Sequence, residues 1–289
     1  HAAKTSPQPL PYILAAARAA EKMQQPAVAD QLLDEARNRL PENDLAIVLC
    51  QAELYQQRGQ LQQAQQLLLS AHQQDTENPE LIERLYLLLL DNRDWGGLIG
   101  LVPDLYKVKS LPESEVKAVE QRAWQGRMQT ATSRQELDKI WHTMSSALHR
   151  NASVVLAYCS QLITLGQAAD AEELLRVQLE QHVDVQLLQA YAQIPHADPA
   201  RALQAGEGWL KQLPGDAMAL FAVGRLAVQA RQWGKARDYY QTSLERQPTP
   251  QVYAELARLL NQMGDYKTGN ELLATGIRML ERQSTAADS

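Results

Sequence analysis

The chain has 289 residues, 45% of them hydrophobic and 21% charged, with a net charge of −6. This balance argues against a nucleic-acid-binding surface, which needs clustered basic residues. The two cysteines, Cys50 and Cys159, have neither the density of a disulfide scaffold nor the CxxC spacing of a metal site. No apolar run reaches the roughly 18 residues of a membrane span, so we expect the chain as given to be soluble.

Leu, Ala and Gln dominate the composition, which favours helices over sheets. A polar leader with two prolines, residues 1–10, is expected to be disordered. Residues 11–110 are predicted to form three helix pairs, because apolar positions recur with helical spacing between short polar turns. These turns are predicted near Gln25, Gly59 and Asn92.

Residues 111–150 are predicted to form a fourth and less regular helix pair. Its second helix begins at a capping box, in which Ser133 is followed three residues later by Glu136. Because this unit is five residues longer than a standard repeat, we expect it to bend or interrupt the array and to act as a hinge. Residues 151–282 are predicted to form four further pairs, and residues 283–289 a disordered tail.

The clearest pair spans residues 216–248. Small residues lie in the middle of both predicted helices, Gly224 in the first and Ala236 in the second. Two helices approach closely only where both are small, and Tyr240, one turn after Ala236, fills the space beside the crossing. Pro248 closes the unit. This pattern is typical of the tetratricopeptide repeat, which has a period of about 34 residues.

Seven other positions repeat the role of Ala236 at steps of 31 to 39 residues. The full set is Ala29, Ala64, Leu98, Leu137, Ala171, Ala202, Ala236 and Gly269. A companion position twelve residues earlier is Gly or Ala in five of the eight units and is Gln125 in the fourth. The sequence therefore predicts an all-α tetratricopeptide-repeat solenoid of about eight antiparallel helix pairs, wound as a right-handed superhelix with an irregular fourth unit.

No motif for catalysis is present. The sequence lacks a Gly-rich phosphate loop, HExxH, GxSxG and clustered Cys/His ligands. The six histidines are scattered, and we expect them to be solvated or to cap helices, although spacing leaves a single axial heme ligand open. We therefore predict a protein that is not an enzyme, with no catalytic residues, no metal site and no required cofactor.

The exposed face of the first helices is the candidate protein-binding groove, because first helices line the concave side of such arrays. The repeat frame places Arg122, Tyr191, Phe221, Arg225 and Arg258 on this face. Arg suits bidentate contact with a carboxylate, and Phe offers an apolar anchor. The alternative is that these arginines only pair with neighbouring acidic residues.

Several stretches resemble the C-terminal tetratricopeptide region of the HemY family, bacterial inner-membrane proteins linked to late heme biosynthesis. The resemblance covers about residues 12 to 280 and includes the irregular fourth unit. The stretches are residues 14–20 (LAAARAA), 92–95 (NRDW) with 102–103 (VP), 120–128 (EQRAWQGRM) and 232–237 (QWGKAR).

The resemblance implies that two N-terminal transmembrane helices precede this region in the full-length protein. It then implies tethering to the inner membrane with the repeats on the cytoplasmic side. The implied role is a scaffold or regulator of late protoheme biosynthesis that binds protoporphyrinogen oxidase and ferrochelatase. Two alternatives stay open, a heme or porphyrin carrier and a generic assembly module for envelope proteins. Self-association of the array is open as well.

Overall fold

A computed structural model describes residues 10–40, 44–109 and 111–287. Within these ranges the chain forms sixteen α-helices and no strand, which confirms the all-α class. The helices are α1 Leu10–Lys22, α2 Pro26–Arg39, α3 Asp44–Gln57, α4 Leu61–Gln74, α5 Pro79–Asp91, α6 Trp95–Val108, α7 Glu113–Gln129, α8 Arg134–Thr143, α9 Ala152–Thr164, α10 Ala168–Gln181, α11 Val185–Tyr191, α12 Pro199–Leu210, α13 Ala217–Gln229, α14 Trp233–Arg246, α15 Pro250–Gln262 and α16 Tyr266–Ala287.

Several helices begin at a side chain that caps the free backbone N–H groups of the first turn. The Asp216 carboxylate accepts hydrogen bonds from the N–H groups of Met218 and Ala219 at the start of α13. At α8 half of the predicted capping box is present: the Ser133 hydroxyl accepts from the Glu136 N–H at 3.3 Å, and the Glu136 carboxylate accepts from the Thr132 N–H at 3.1 Å. Such caps fix where one helix ends and the next begins.

The repeat register is confirmed by burial. All eight positions that share the role of Ala236 are buried, including Leu98 and Leu137 in the less regular units. At Gly224 a Cβ atom would lie 2.5 Å from the Tyr240 ring, so only glycine permits this approach of α13 to α14. Helices pack in consecutive pairs, as the tetratricopeptide pattern predicts, in α1–α2, α3–α4, α5–α6, α9–α10, α13–α14 and α15–α16.

In the fourth unit Gly126, which follows the companion position Gln125, makes a close approach to α6 of the preceding pair. A Cβ atom at Gly126 would lie 2.3 Å from the ring of Trp95 on α6. At the C-terminus α16 continues to Ala287, beyond the expected start of a disordered tail at residue 283. Residues 283–287 contain neither glycine nor proline, so nothing there stops the helix.

The chain divides into two compact units, residues 1–127 and residues 128–289. In the first, apolar residues of α5 and α6, among them Leu85, Leu89 and Leu98, form a core with neighbouring helices. The boundary falls within the segment 111–150, where a hinge stays a prediction. Most of the leader, residues 1–9, and the last two residues lie outside the described ranges. No helix in those ranges has the length and apolarity needed to cross a membrane.

Candidate functional site

The C-terminal unit contains a groove lined by first helices, as predicted. Residues of α11, α13 and α15, with one from the turn after α11, enclose a cavity of about 460 Å³. The lining residues are Gln189, Gln193, Met218, Phe221, Ala222, Arg225, Gln251, Ala254 and Glu255. Two of the five predicted residues, Phe221 and Arg225, therefore line it directly.

Phe221 forms the apolar floor of the groove. Its side chain is 8% exposed, and its ring centroid lies 5.6 Å from that of Tyr240. Tyr240 in turn lies against Gly224, so the close helix crossing holds the floor in place. A side chain of a partner can therefore pack on a preformed aromatic surface, which reduces the entropy lost on binding.

Arg225 is half-buried at the edge of this floor. Its guanidinium carbon lies 5.9 Å from the centroid of the Phe221 ring, within cation–π range. Among the residues that the structure describes, no carboxylate or hydrogen-bond acceptor pairs with it, and Arg225 itself lines the groove. The arrangement leaves a cation beside an apolar surface, ready for an anionic group from outside.

Arg258 differs, since it already has a partner. Its guanidinium lies 3.1 Å from the Glu255 carboxylate, one turn earlier on α15, and its side chain is 67% exposed. The alternative in which these arginines only pair with neighbouring acidic residues therefore has different outcomes for the two side chains. Arg258 pairs with a neighbouring acid, whereas Arg225 does not.

The electrostatics of the groove extend to Tyr240 beneath it. Burial, followed by the nearby charge of Glu255, raises the pKa of the Tyr240 phenol, while Arg225 and Arg258 act in the opposite direction. The Tyr240 hydroxyl is buried without a hydrogen-bond partner among the described residues. Tyr240 thus stays neutral and serves as a packing residue under the groove.

Tyr191 does not occupy the place predicted for it. Its side chain is 2% exposed, and its ring packs edge-on against Trp209 at 5.2 Å. The connection between α11 and α12, residues 192–198, is longer than the turn at residues 230–232. Positions on α11 that are assigned by counting back from Ala202 are therefore shifted. Gln189 and Gln193 line the groove instead. In the sequence, the length of the proline-containing turn was the only sign that the groove positions on α11 are displaced.

Arg122 is exposed on α7 and belongs to the N-terminal unit. That unit has its own cavity of about 380 Å³, lined by residues of α1, α3 and α5. Here Arg18 lines the wall, but it donates to the Glu53 carboxylate from two nitrogens at 2.9 and 3.1 Å. Arg18 is therefore already neutralised, whereas the exposed Arg84 also lines this second cavity.

His72 and His196 are buried and not solvated, and His196 contacts the last carbonyl oxygen of α11 as a capping residue would. The His196 ring lies 2.9 Å from a Glu172 carboxylate oxygen and 3.0 Å from the Tyr191 carbonyl oxygen. The His72 ring lies 3.1 Å from Asp104. The two carboxylates, Glu172 and Asp104, come from distant parts of the sequence, which is why scattered spacing suggested solvent exposure. Within the described ranges no group of three or more His, Cys, Asp or Glu side chains is placed to hold a metal ion.

No family model matches the chain. Protein HemY of Escherichia coli strain K12 is 20% identical over 259 residues, which cover 89% of this chain and 65% of that protein. The chain is a distant homologue of Protein HemY. Protein HemY of Shigella flexneri matches with the same identity and coverage. The chain spans about two thirds of the length of these HemY relatives, at 65%.

Solved structures with similar helix arrangements were also found. The yeast Tom70 structure is 12% identical, with 95% of this chain and 70% of that chain covered at a TM-score of 0.37. A human IFIT1 dimer with m7Gppp-AAAA is 16% identical, with 90% and 66% covered at a TM-score of 0.41. The fold assignment rests on the helix pairing and buried register of this chain.

Proposed function

We propose that the chain is a non-catalytic protein-interaction scaffold or regulator whose C-terminal groove binds a segment of a partner protein. The observation that carries the proposal is Arg225, a half-buried cation without a described partner beside the Phe221 ring. A cation in this position favours a partner segment with a carboxylate next to an apolar side chain.

The chemistry of the lining supports this kind of ligand. The guanidinium of Arg225 can donate two parallel hydrogen bonds to a carboxylate, and partial burial strengthens them relative to a fully exposed pair. The amides of Gln189 and Gln193 on the same wall offer both donors and acceptors to a peptide backbone. Phe221 supplies the apolar contact that anchors such a segment.

The similarity to Protein HemY suggests which partners these are. We propose that the full-length protein is tethered to the bacterial inner membrane, with this region on the cytoplasmic side. There it would bring together enzymes of late protoheme biosynthesis, protoporphyrinogen oxidase and ferrochelatase. The distant homology over nearly the whole chain supports this role.

The test is direct binding of the purified chain to each immobilised enzyme. Wild type is expected to bind, and Arg225→Gln to weaken binding by about 10- to 100-fold, since charge-assisted hydrogen bonds contribute about 1.5–3 kcal/mol. Arg225→Lys should recover only part of the loss, because lysine cannot form the bidentate contact. Arg18→Gln in the N-terminal cavity is the matched control and should leave affinity unchanged. Equal binding by wild type and Arg225→Gln would refute the groove as the binding site.

A second candidate, a heme or porphyrin carrier, is favoured by the same pair of features. An apolar floor with an available arginine could also hold a macrocycle and one of its propionates. A hemin titration followed by Soret absorbance, with albumin as a control for non-specific uptake, separates the two. A saturable shift that Arg225→Gln abolishes supports heme binding. No shift leaves the scaffold, and capture of envelope proteins without heme enzymes would favour a generic assembly module.

A further inference from the structure

The last helix carries an apolar stripe that no described residue covers. Tyr266, Leu273, Ile277 and Leu280 of α16 are 66%, 42%, 50% and 52% exposed. Their spacings of seven, four and three residues place them on one face of the helix. Single exposed apolar residues are common on protein surfaces, but four in line along one helix mark an interaction surface.

This stripe is distinct from the face by which α16 packs in its own pair. Gly269 and Gly276 face α15, where added Cβ atoms would lie 3.0 Å from the Ala257 carbonyl oxygen and from Cβ of Tyr253. At 3.6 residues per turn, the stripe is centred about 60° around the helix from these glycines, with Ile277 farthest from them.

On α14, the position equivalent to Ile277 is Leu244, 33 residues earlier. Leu244 is half-buried on a helix that packs against both α13 and α15. The equivalent position on a second helix of this unit is therefore partly covered.

Charges beside the stripe indicate what kind of helix fits. Lys267 and Glu281 lie seven residues before and seven residues after Ala274, and all three are exposed. Glu271 and Arg278 lie three residues before and four after it and are also exposed. All four charged side chains project from the same side of the helix.

A second copy of α16 in antiparallel orientation complements this pattern. With the crossing near Ala274, Lys267 of each copy comes level with Glu281 of the other, and Glu271 with Arg278. The same crossing packs Leu273 against Ile277 of the second copy. In a parallel arrangement each charge would be level with its own equivalent, which brings like charges together. Ala274 at the crossing lets the two backbones approach closely.

We propose that α16 is a self-association surface on which two copies of this chain dock antiparallel through their apolar stripes. The interface is symmetric, since the same patch serves both copies. The charge pairs set the orientation and register, while the apolar stripe supplies most of the binding free energy.

Sedimentation velocity of the chain over a range of concentrations tests the proposal. We expect a concentration-dependent monomer–dimer equilibrium, and Ile277→Glu should raise the dimer dissociation constant at least about tenfold. Lys267→Glu alone should weaken the dimer, and Lys267→Glu combined with Glu281→Lys should restore it. Far-UV circular dichroism checks that each variant is folded. A chain that stays monomeric at all concentrations, or a double variant as weak as the single one, would overturn the proposal.

Disulfide trapping then fixes the orientation. Ala274→Cys should form a covalent dimer on mild oxidation, because the two copies cross there. Lys267→Cys should not, because antiparallel docking separates the two positions by about 20 Å, too far for a disulfide. The native Cys50 and Cys159 are buried and do not compete. Efficient cross-linking of Lys267→Cys with none at Ala274→Cys would contradict the antiparallel arrangement.

Discussion

Arg18 in the N-terminal unit and Arg225 in the C-terminal unit occupy the same repeat position but have different environments. Each lies eleven residues before the small or apolar residue that sets the register, Ala29 or Ala236. Arg18 is paired at 2.9 Å with Glu53, which holds this same position in the next helix pair. In the C-terminal unit the next pair has Arg258 at this position, and the nearby Glu255 pairs with Arg258, so Arg225 is left without a described acid partner.

The position of a residue in the repeat determines where its side chain lies. The residue at the equivalent position in the next helix pair determines whether that side chain is already paired or can bind a partner. In the N-terminal cavity the pairing with Glu53 keeps Arg18 from an outside anion, although Arg84 also lines that cavity. In the C-terminal groove two arginines at successive equivalent positions leave the site open to such an anion. Each of the following predictions tests one part of this contrast.

The largest effect is expected from the charge cluster that joins the first two helix pairs. Arg58 pairs with Glu21 at 2.6 Å and with Asp30 at 3.0 Å, and the Arg58 and Glu21 side chains are only 13% and 12% exposed. Arg58→Met leaves Glu21 almost buried without its cation, which should cost about 3 kcal/mol of unfolding free energy. Urea denaturation of the whole chain measures this loss.

Arg37→Met is the control for Arg58→Met. Arg37 is 37% exposed and pairs with Asp44 at 3.1 Å, so its loss should cost less than about 1 kcal/mol. Equal losses in the two variants would show that the N-terminal unit does not depend on its internal charge pairing.

The next effect concerns the close crossing under the C-terminal groove. Gly224→Ala places a Cβ atom 2.5 Å from the Tyr240 ring. Overpacking costs about 1–3 kcal/mol, partly offset by the better helix propensity of alanine, so a net destabilisation of about 1–2 kcal/mol is expected. Thermal unfolding followed by circular dichroism measures it.

Gly208→Ala on α12 is the matched control, because nothing lies within 4 Å of the added Cβ atom. This substitution should stabilise the chain by about 0.5–1 kcal/mol. If both substitutions stabilise the chain, the crossing at Gly224 is looser than the structure describes and the groove floor is not held by it.

The smallest effect is expected at Tyr240 itself. Its hydroxyl is buried with no described partner, so Tyr240→Phe should leave stability unchanged or raise it by up to about 1 kcal/mol. Ser243→Ala is the contrast, because the fully buried Ser243 hydroxyl donates to the Ala217 carbonyl oxygen at 2.7 Å and its loss should cost about 1 kcal/mol. A clear loss of stability in Tyr240→Phe would mean that the hydroxyl has a partner.

Much of the fold could be predicted from the sequence because each helix pair buries the same small set of positions. Ala236 and its equivalents were identified by spacing alone, and all of them are buried. Prediction failed where a connection changed length, as after α11, because Tyr191 then turned into the core and Gln189 took its place.

The candidate site was less predictable than the fold. Phe221 and Arg225 follow from the repeat position, but the presence or absence of an ion pair depends on a residue about one repeat away. The single-sequence pattern could not distinguish Arg258, which reaches back to Glu255, from Arg225, which lies over the Phe221 ring. These differences arise from side-chain geometry between helices.

The most direct test gives Arg225 the kind of carboxylate partner that Arg18 has in the N-terminal cavity. Arg258→Glu places a carboxylate at the position that Glu53 holds opposite Arg18, where it can pair with Arg225. The affinity of this variant for the proposed partners, ferrochelatase and protoporphyrinogen oxidase, should fall at least about tenfold relative to wild type, which corresponds to about 1.4 kcal/mol. Arg258→Gln, which removes the charge without occupying Arg225, should bind as wild type does. Unchanged affinity in a folded Arg258→Glu variant would contradict the claim that an available Arg225 is what binds the partner.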